Sequence, residues 1–268
     1  MEKQIGILIM RDENDILEEY LSCVSQYFDP ILVLDGSDDD EGREICSKFP
    51  EVAYYEKDKN VVQGISNDSI RGFLLEKAKE ISPNKDWVAV LHPDEFPSKN
   101  PLDMLSFVDQ NYKECTSVVV LNVHFFPHTT QREEWETTTK NKGLIEPMLK
   151  WYMAPGFPEN RYFRFKKEYT YGNQHSLTIP SGALQSPIHI EGFYHKHITY
   201  RTKEQALKRA KTRIESGWQP VDYVLVLEKG DIFFDTLKYP IEVTQKYPRE
   251  SSISYYNWAS AEPKNIKA

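Results

Sequence analysis

The run Ile5-Gly6-Ile7-Leu8-Ile9-Met10-Arg11-Asp12-Glu13 decides the fold class. Its first six residues carry no polar side chain and no alternation, the pattern of a strand buried on both faces. Such a strand needs helices on either side of its sheet. The run is too short for a signal-peptide core with its cleavage site, and far too short to span a bilayer. The arginine and two acids that end it mark the handover to a helix. Asp12 is placed to cap that helix, and Ile16, Leu17, Tyr20, Leu21 and Val24 recur at helical spacing.

Outward from this run the same grammar repeats. Pro30 resets the chain, Ile31-Leu32-Val33-Leu34 reads as a second buried strand, and Asp35-Gly36-Ser37-Asp38-Asp39-Asp40 is an acidic turn. A helix over Glu41 to Phe49, a strand at Val52 to Tyr55 and a helix over Ser69 to Ile81 follow. Trp87-Val88-Ala89-Val90-Leu91 then runs into His92-Pro93-Asp94-Glu95-Phe96. Alternating strands and helices with short connections predict an α/β fold: a Rossmann-like, mostly parallel central sheet flanked by helices. Ligands of such sheets collect at the carboxyl ends of the strands. The chemically loaded segments, Arg11 to Glu13, Asp35 to Asp40 and His92 to Glu95, all fall there.

The second half is less regular. Ser117 to Val123 reads as a strand, Arg161 to Phe165 alternates like a half-exposed one, and Lys203 to Glu215 is a basic helix. The tail from Tyr239 is rich in Pro, Tyr and Ser. The expected organisation is a principal domain over 1–215 and an extension over 216–268 packed on the core. Within the domain, a regular half covers about 1–100 and a less regular half about 101–215.

A net charge of −8 argues against a broad nucleic-acid or anionic-membrane surface. Three cysteines without CxxC spacing argue against a disulfide framework or zinc knuckle and suit a reducing compartment. No stretch approaches about 18 apolar residues, so no transmembrane segment is expected and the cytoplasm is the expected location.

Several residues can carry chemistry. A carboxylate at Asp35, closing a buried strand, can accept from a base N–H or a ribose hydroxyl; the rival reading is a solvated turn. His92 and Asp94 at alternate positions can bind a divalent cation, with oxygen ligands suiting Mg2+ or Mn2+ and an imidazole favouring Mn2+ or a later metal. The rival reading there is a helix start at Pro93 and Asp94. His195 and His197, ahead of a basic helix, can supply a distal metal ligand. His124 and His128 read as structural or acceptor-side. Arg11 and Arg71 are candidate diphosphate clamps, because a planar guanidinium matches phosphate oxygens.

In this order and spacing the motifs resemble the glycosyltransferase family 2-like proteins, whose N-terminus reads R-[DN]-E-x-D-x-L-x-E-[WY]-L. Here that is Arg11-Asp12-Glu13-Asn14-Asp15-Ile16-Leu17-Glu18-Glu19-Tyr20-Leu21. The D-[DG]-x-S-x-D loop is matched by Asp35-Gly36-Ser37-Asp38-Asp39 with one residue fewer, D-x-D-E-F by His92 to Phe96, and R-x-[FY]-[KR] around Arg161 to Phe165. The resemblance implies a GT-A fold, with a nucleotide-binding half over about 1–100 and a half closing over acceptor and metal over about 101–215, a nucleotide-diphospho-sugar donor, a glycan or other hydroxyl acceptor, and Mn2+ or Mg2+. It implies that Asp35 reads the base or ribose, that Arg71 sits by the nucleotide, and that Asp94 with His197 holds the metal, His92 being a possible third ligand. Two departures matter. His92 replaces the first Asp of the motif, and Asn173-Gln174-His175-Ser176 lacks the family's His-Glu, so His175 stands as general base with Glu95 and Glu159 as alternatives. A non-catalytic nucleotide-sugar-binding module is the rival function. A metal-dependent hydrolase or nucleotidyltransferase would need a Gly-rich phosphate loop or a second metal cluster, and the sequence has no GxGxxG or GxxxxGK[ST].

Overall fold

The unbroken apolar runs of the first half lie side by side. In the computed structural model β1 (Gln4–Met10), β2 (Phe28–Asp35), β3 (Val52–Lys57) and β4 (Trp87–Leu91) form a parallel array in the order β3-β2-β1-β4. The structure describes residues 1–58, 68–125, 127, 129, 132–140, 151–171, 179–215, 227, 230, 232–233 and 252–255. Between the strands run α1 (Asn14–Val24), α2 (Glu41–Cys46) and α3 (Asp68–Ile81). Ile5, Ile7, Leu32, Leu34, Val88 and Val90 point to one face, where Ile70, Leu74, Leu75 and Ala78 of α3 pack on them. The intervening Leu8, Ile31, Val33, Ala89 and Leu91 are just as buried, so both faces are covered, as the lack of alternation requires. Each of these Val, Leu and Ile side chains contributes roughly 1.5–3 kcal/mol through burial.

Two local readings are corrected. Pro30 does not reset the chain but lies inside β2. A bulge absorbs it: β1 pairs Gln4 with Phe28 and Gly6 with Ile31, so Asp29 and Pro30 oppose the single residue Ile5. Asp12 does not cap α1. Its backbone takes the left-handed φ of 56°, which Asp tolerates, and its N–H donates to Ser37 Oγ at 2.8 Å. That bond turns the chain away from capping geometry, and Glu13 stands at the N-cap without a side-chain cap bond.

After β4 come β5 (Glu95–Pro97), α4 (Pro101–Asn111), β6 (Ser117–Phe125), α5 (Arg132–Lys140), β7 (Trp151–Arg164), β8 (Pro187–Ile198), α6 (Lys203–Glu215) and β9 (Ser252–Tyr255). β7 joins β4 antiparallel, the order continues β7-β6-β8-β5, and β9 pairs with β7. The chain divides into two compact units, Met1–Leu121 with Pro158–His195, and Asn122–Phe157 with Lys196–Ala268. The second has its own core of Trp135, Tyr200, Ala206, Ala210, Ile232 and Phe233, in which Trp135 Nε1 donates to the Arg201 carbonyl at 2.6 Å. Among the described residues no helix is long and apolar enough to cross a membrane.

Candidate functional site

Register places three strand ends on one edge of the first unit. Met10 is level with Asp35, and Leu8 with Leu91, so the segments after β1, β2 and β4 leave the sheet together. Asp35 is the anchor of this edge. Its carboxylate is fully buried, accepting from the Ser37 N–H at 2.8 Å and from the Tyr55 hydroxyl at 2.5 Å. Burial, then the bond to Asp35, pushes the Tyr55 phenol well up, so it stays a donor. The Arg43 guanidinium lies over the Tyr55 ring, 4.8 Å from its centre. α2 approaches closely because Gly42 has no side chain: a Cβ there would stand 2.7 Å from Asp35 Oδ2 and 2.6 Å from Met10 Cε. Arg11 is half-buried at the bend after β1, with Nε 3.9 Å from Asp12 Oδ2.

Beyond β4 the chain makes a turn rather than a helix. The Glu95 N–H donates to the His92 carbonyl at 3.0 Å, β5 follows, and α4 starts only at Pro101, capped by Asn100. The turn gathers His92, Asp94 and Glu95, whose ligand atoms lie within 4.8 Å of one another. Asp94 and Glu95 are both buried.

Arg161 of β7 reaches into this cluster. One guanidinium nitrogen donates to Glu95 Oε1 at 2.5 Å and also meets Glu159, while the other lies 3.2 Å from His92 Nε2. Burial works against the Arg161 charge, but Glu95, Glu159 and Asp94 hold its pKa above the ordinary value. An arginine only donates, so His92 Nε2 is the acceptor and its Nδ1 carries the proton, 3.5 Å from Glu95 Oε1. Burial, then the Arg161 charge, keeps His92 neutral well below its usual titration range. His195 of β8 closes the cluster from the other side. Its Nδ1 lies 3.6 Å from Glu95 Oε2, and its Nε2 is 2.9 Å from the Tyr162 hydroxyl.

The donor set of the turn, two carboxylates and an imidazole, has the chemistry of a divalent-cation site. Since Arg161 already meets His92 and Glu95, the fit runs through Asp94. Arg71, buried on α3, is near enough for its charge to act on His92. His197 belongs to the second unit, where its Nδ1 lies 3.4 Å from His124 Nε2 and its Nε2 3.4 Å from Thr199 Oγ1. His124 therefore pairs with His197, while His128 and His175 lie outside the described residues. Sequence reasoning assigned no role to Arg161, Tyr162 or Tyr55 and gave His195 none that His197 lacked. The R-x-[FY]-[KR] motif was the one signal pointing to Arg161, without naming its partners.

No known protein-family profile matches the chain, and no curated protein does. Among solved structures, that of residues 1–349 of TarS from S. aureus aligns with 84% of this chain and 69% of its own length, at 14% identity and a TM-score of 0.43. A likeness so loose bears no weight on fold or function.

Proposed function

We propose that this chain is a glycosyltransferase of the GT-A type, moving a sugar from a nucleotide-diphospho-sugar onto a hydroxyl acceptor such as a glycan, with Mn2+ or Mg2+ at Asp94. The observation that carries this reading is the shared edge. Arg11, the Asp35 loop and the His92–Glu95 turn end adjacent strands of one parallel array, the place where such sheets receive nucleotides. Asp35, with Tyr55, shapes the pocket for base or ribose. Arg11 and Arg71 bring guanidinium groups to the diphosphate. A divalent cation, when bound, offsets the charge that develops on the departing diphosphate. Glu95, held by Arg161, orients the turn, and the acceptor's proton falls to His175, an imidazole suited to general-base work.

A second reading, a nucleotide-sugar-binding module without turnover, draws on one observation. Both ring nitrogens of His92 face groups of the protein, which narrows the metal's donor set. Incubation with a panel of nucleotide-sugars and Mn2+ separates the two. Transfer or hydrolysis should release a nucleoside diphosphate from at least one donor, and Asp94→Asn should return that release to background. Affinity without release from any donor would leave the binding module, and no affinity for any nucleoside diphosphate would sink both.

A further inference from the structure

The side chains behind the turn form a buried line of contacts that the cation itself does not require. Its far end is Tyr162, whose ring is almost wholly buried and whose phenol, raised by burial, keeps its proton. The Tyr162 hydroxyl lies 2.9 Å from His195 Nε2, and the other ring nitrogen, Nδ1, faces Glu95 Oε2 at 3.6 Å; a carboxylate only accepts, so the ring proton sits on Nδ1 and Nε2 accepts from the phenol. The imidazole has little freedom to turn. Phe193 stands edge-on to it at 5.9 Å and Tyr162 at 5.8 Å, and the two aromatic rings also meet each other at 6.0 Å. The strand that carries Glu95 is fastened beside it: the Ser98 N–H donates to the Tyr194 carbonyl at 2.9 Å, and the Tyr194 N–H donates to Ser98 Oγ at 3.0 Å. Glu95 is thus gripped on one oxygen by Arg161 and faced on the other by a caged N–H donor. A group that holds the residue beside a ligand can matter to affinity nearly as much as the ligand, because it sets where the ligand's oxygen sits before the ion arrives.

We propose that His195 is a positioning residue of the turn: it presents Nδ1 to Glu95, keeps Glu95 on Arg161, and so fixes Asp94, the residue before it in the turn, in the attitude in which a divalent cation takes it. This rests on the cation reading given above. His195→Phe fills the same cage but removes both polar atoms. His195→Asn keeps an N–H donor near the place of Nδ1. Tyr162→Phe removes only the hydroxyl that donates to Nε2. Mn2+ is the probe, followed by the electron paramagnetic resonance of the free ion, with a cooperative thermal transition required of each variant. His195→Phe should weaken Mn2+ binding by about 10- to 100-fold. His195→Asn should recover most of that loss, and Tyr162→Phe should fall between. Equal affinity in the wild type and His195→Phe would overturn the positioning role alone, as would His195→Asn losing as much as His195→Phe. A wild-type chain that takes no Mn2+ would overturn the cation reading and this role together.

Discussion

Asp35 holds the fold together at the place proposed for the nucleotide. Its two oxygens accept from Ser37 and Tyr55 with no surface exposed. Asp35→Ala removes the acceptor from both donors, and a buried donor left unpaired costs roughly 1–3 kcal/mol. The variant should therefore lose both stability in urea unfolding and affinity for nucleoside diphosphates in calorimetry. Tyr55→Phe, which deletes one donor and keeps Asp35, should lose clearly less stability; equal losses would mean that the Ser37 bond contributes nothing. The histidines of β8 mark the limit of residue-level reading. His195 and His197 are two apart, so strand alternation gives them the same direction. Only the partners separate them, Glu95 and Tyr162 for one and His124 and Thr199 for the other, and all of these but Thr199 lie 33 to 100 positions away.

At the scale of elements, what the sequence made legible follows from burial. β1, β2 and β4 were readable because a strand covered on both faces has no polar residue to blur the pattern, and α3 and α6 because their apolar spacing is regular. β5 was not, being three residues long. Nor was the length of β7, whose first half, Trp151–Phe157, holds Pro155 and Gly156, residues that ordinarily argue against a strand. The pairing of Arg161 with Glu95 joins residues 66 positions apart, and no local rule reaches that far. α2 offers the sharpest test at this scale. A methyl at Gly42 would meet Met10 Cε, which can yield, and Asp35 Oδ2 at 2.7 Å, which two hydrogen bonds hold in place. Gly42→Ala should push α2 off the strand edge, destabilising the chain by about 1–3 kcal/mol and weakening nucleotide binding with it. Wild-type stability in urea would show that α2 has room to shift.

For the whole molecule, buried imidazole works against stability in acid. His195 titrates below the 6.5 of a free imidazole because burial opposes its charge, although the nearby Glu95 carboxylate works the other way. The unfolded chain therefore takes up that proton first as the pH falls. Stability is unaffected by this group above about pH 6.5 and declines below it, by at most about 1.4 kcal/mol per pH unit, until the folded state binds the proton too. Melting temperatures measured from pH 7.5 to 5.5 should fall toward the acid end, and His195→Phe should flatten part of that fall; an identical slope in the variant would assign the loss to other groups. The division of the chain bears also on how it is made. The first unit is not complete at Leu121 but waits for Pro158–His195, and β4 acquires its second neighbour only when Phe163 and Arg164 arrive to pair with Val88 and Trp87. At about 5–20 residues per second of synthesis, that wait lasts about 4–15 s on the ribosome. Throughout it the nascent chain carries an apolar strand with one unpaired edge. Slow translation across 92–163 thus prolongs exposure to aggregation, and fragments ending within that stretch should emerge insoluble or bound to chaperones.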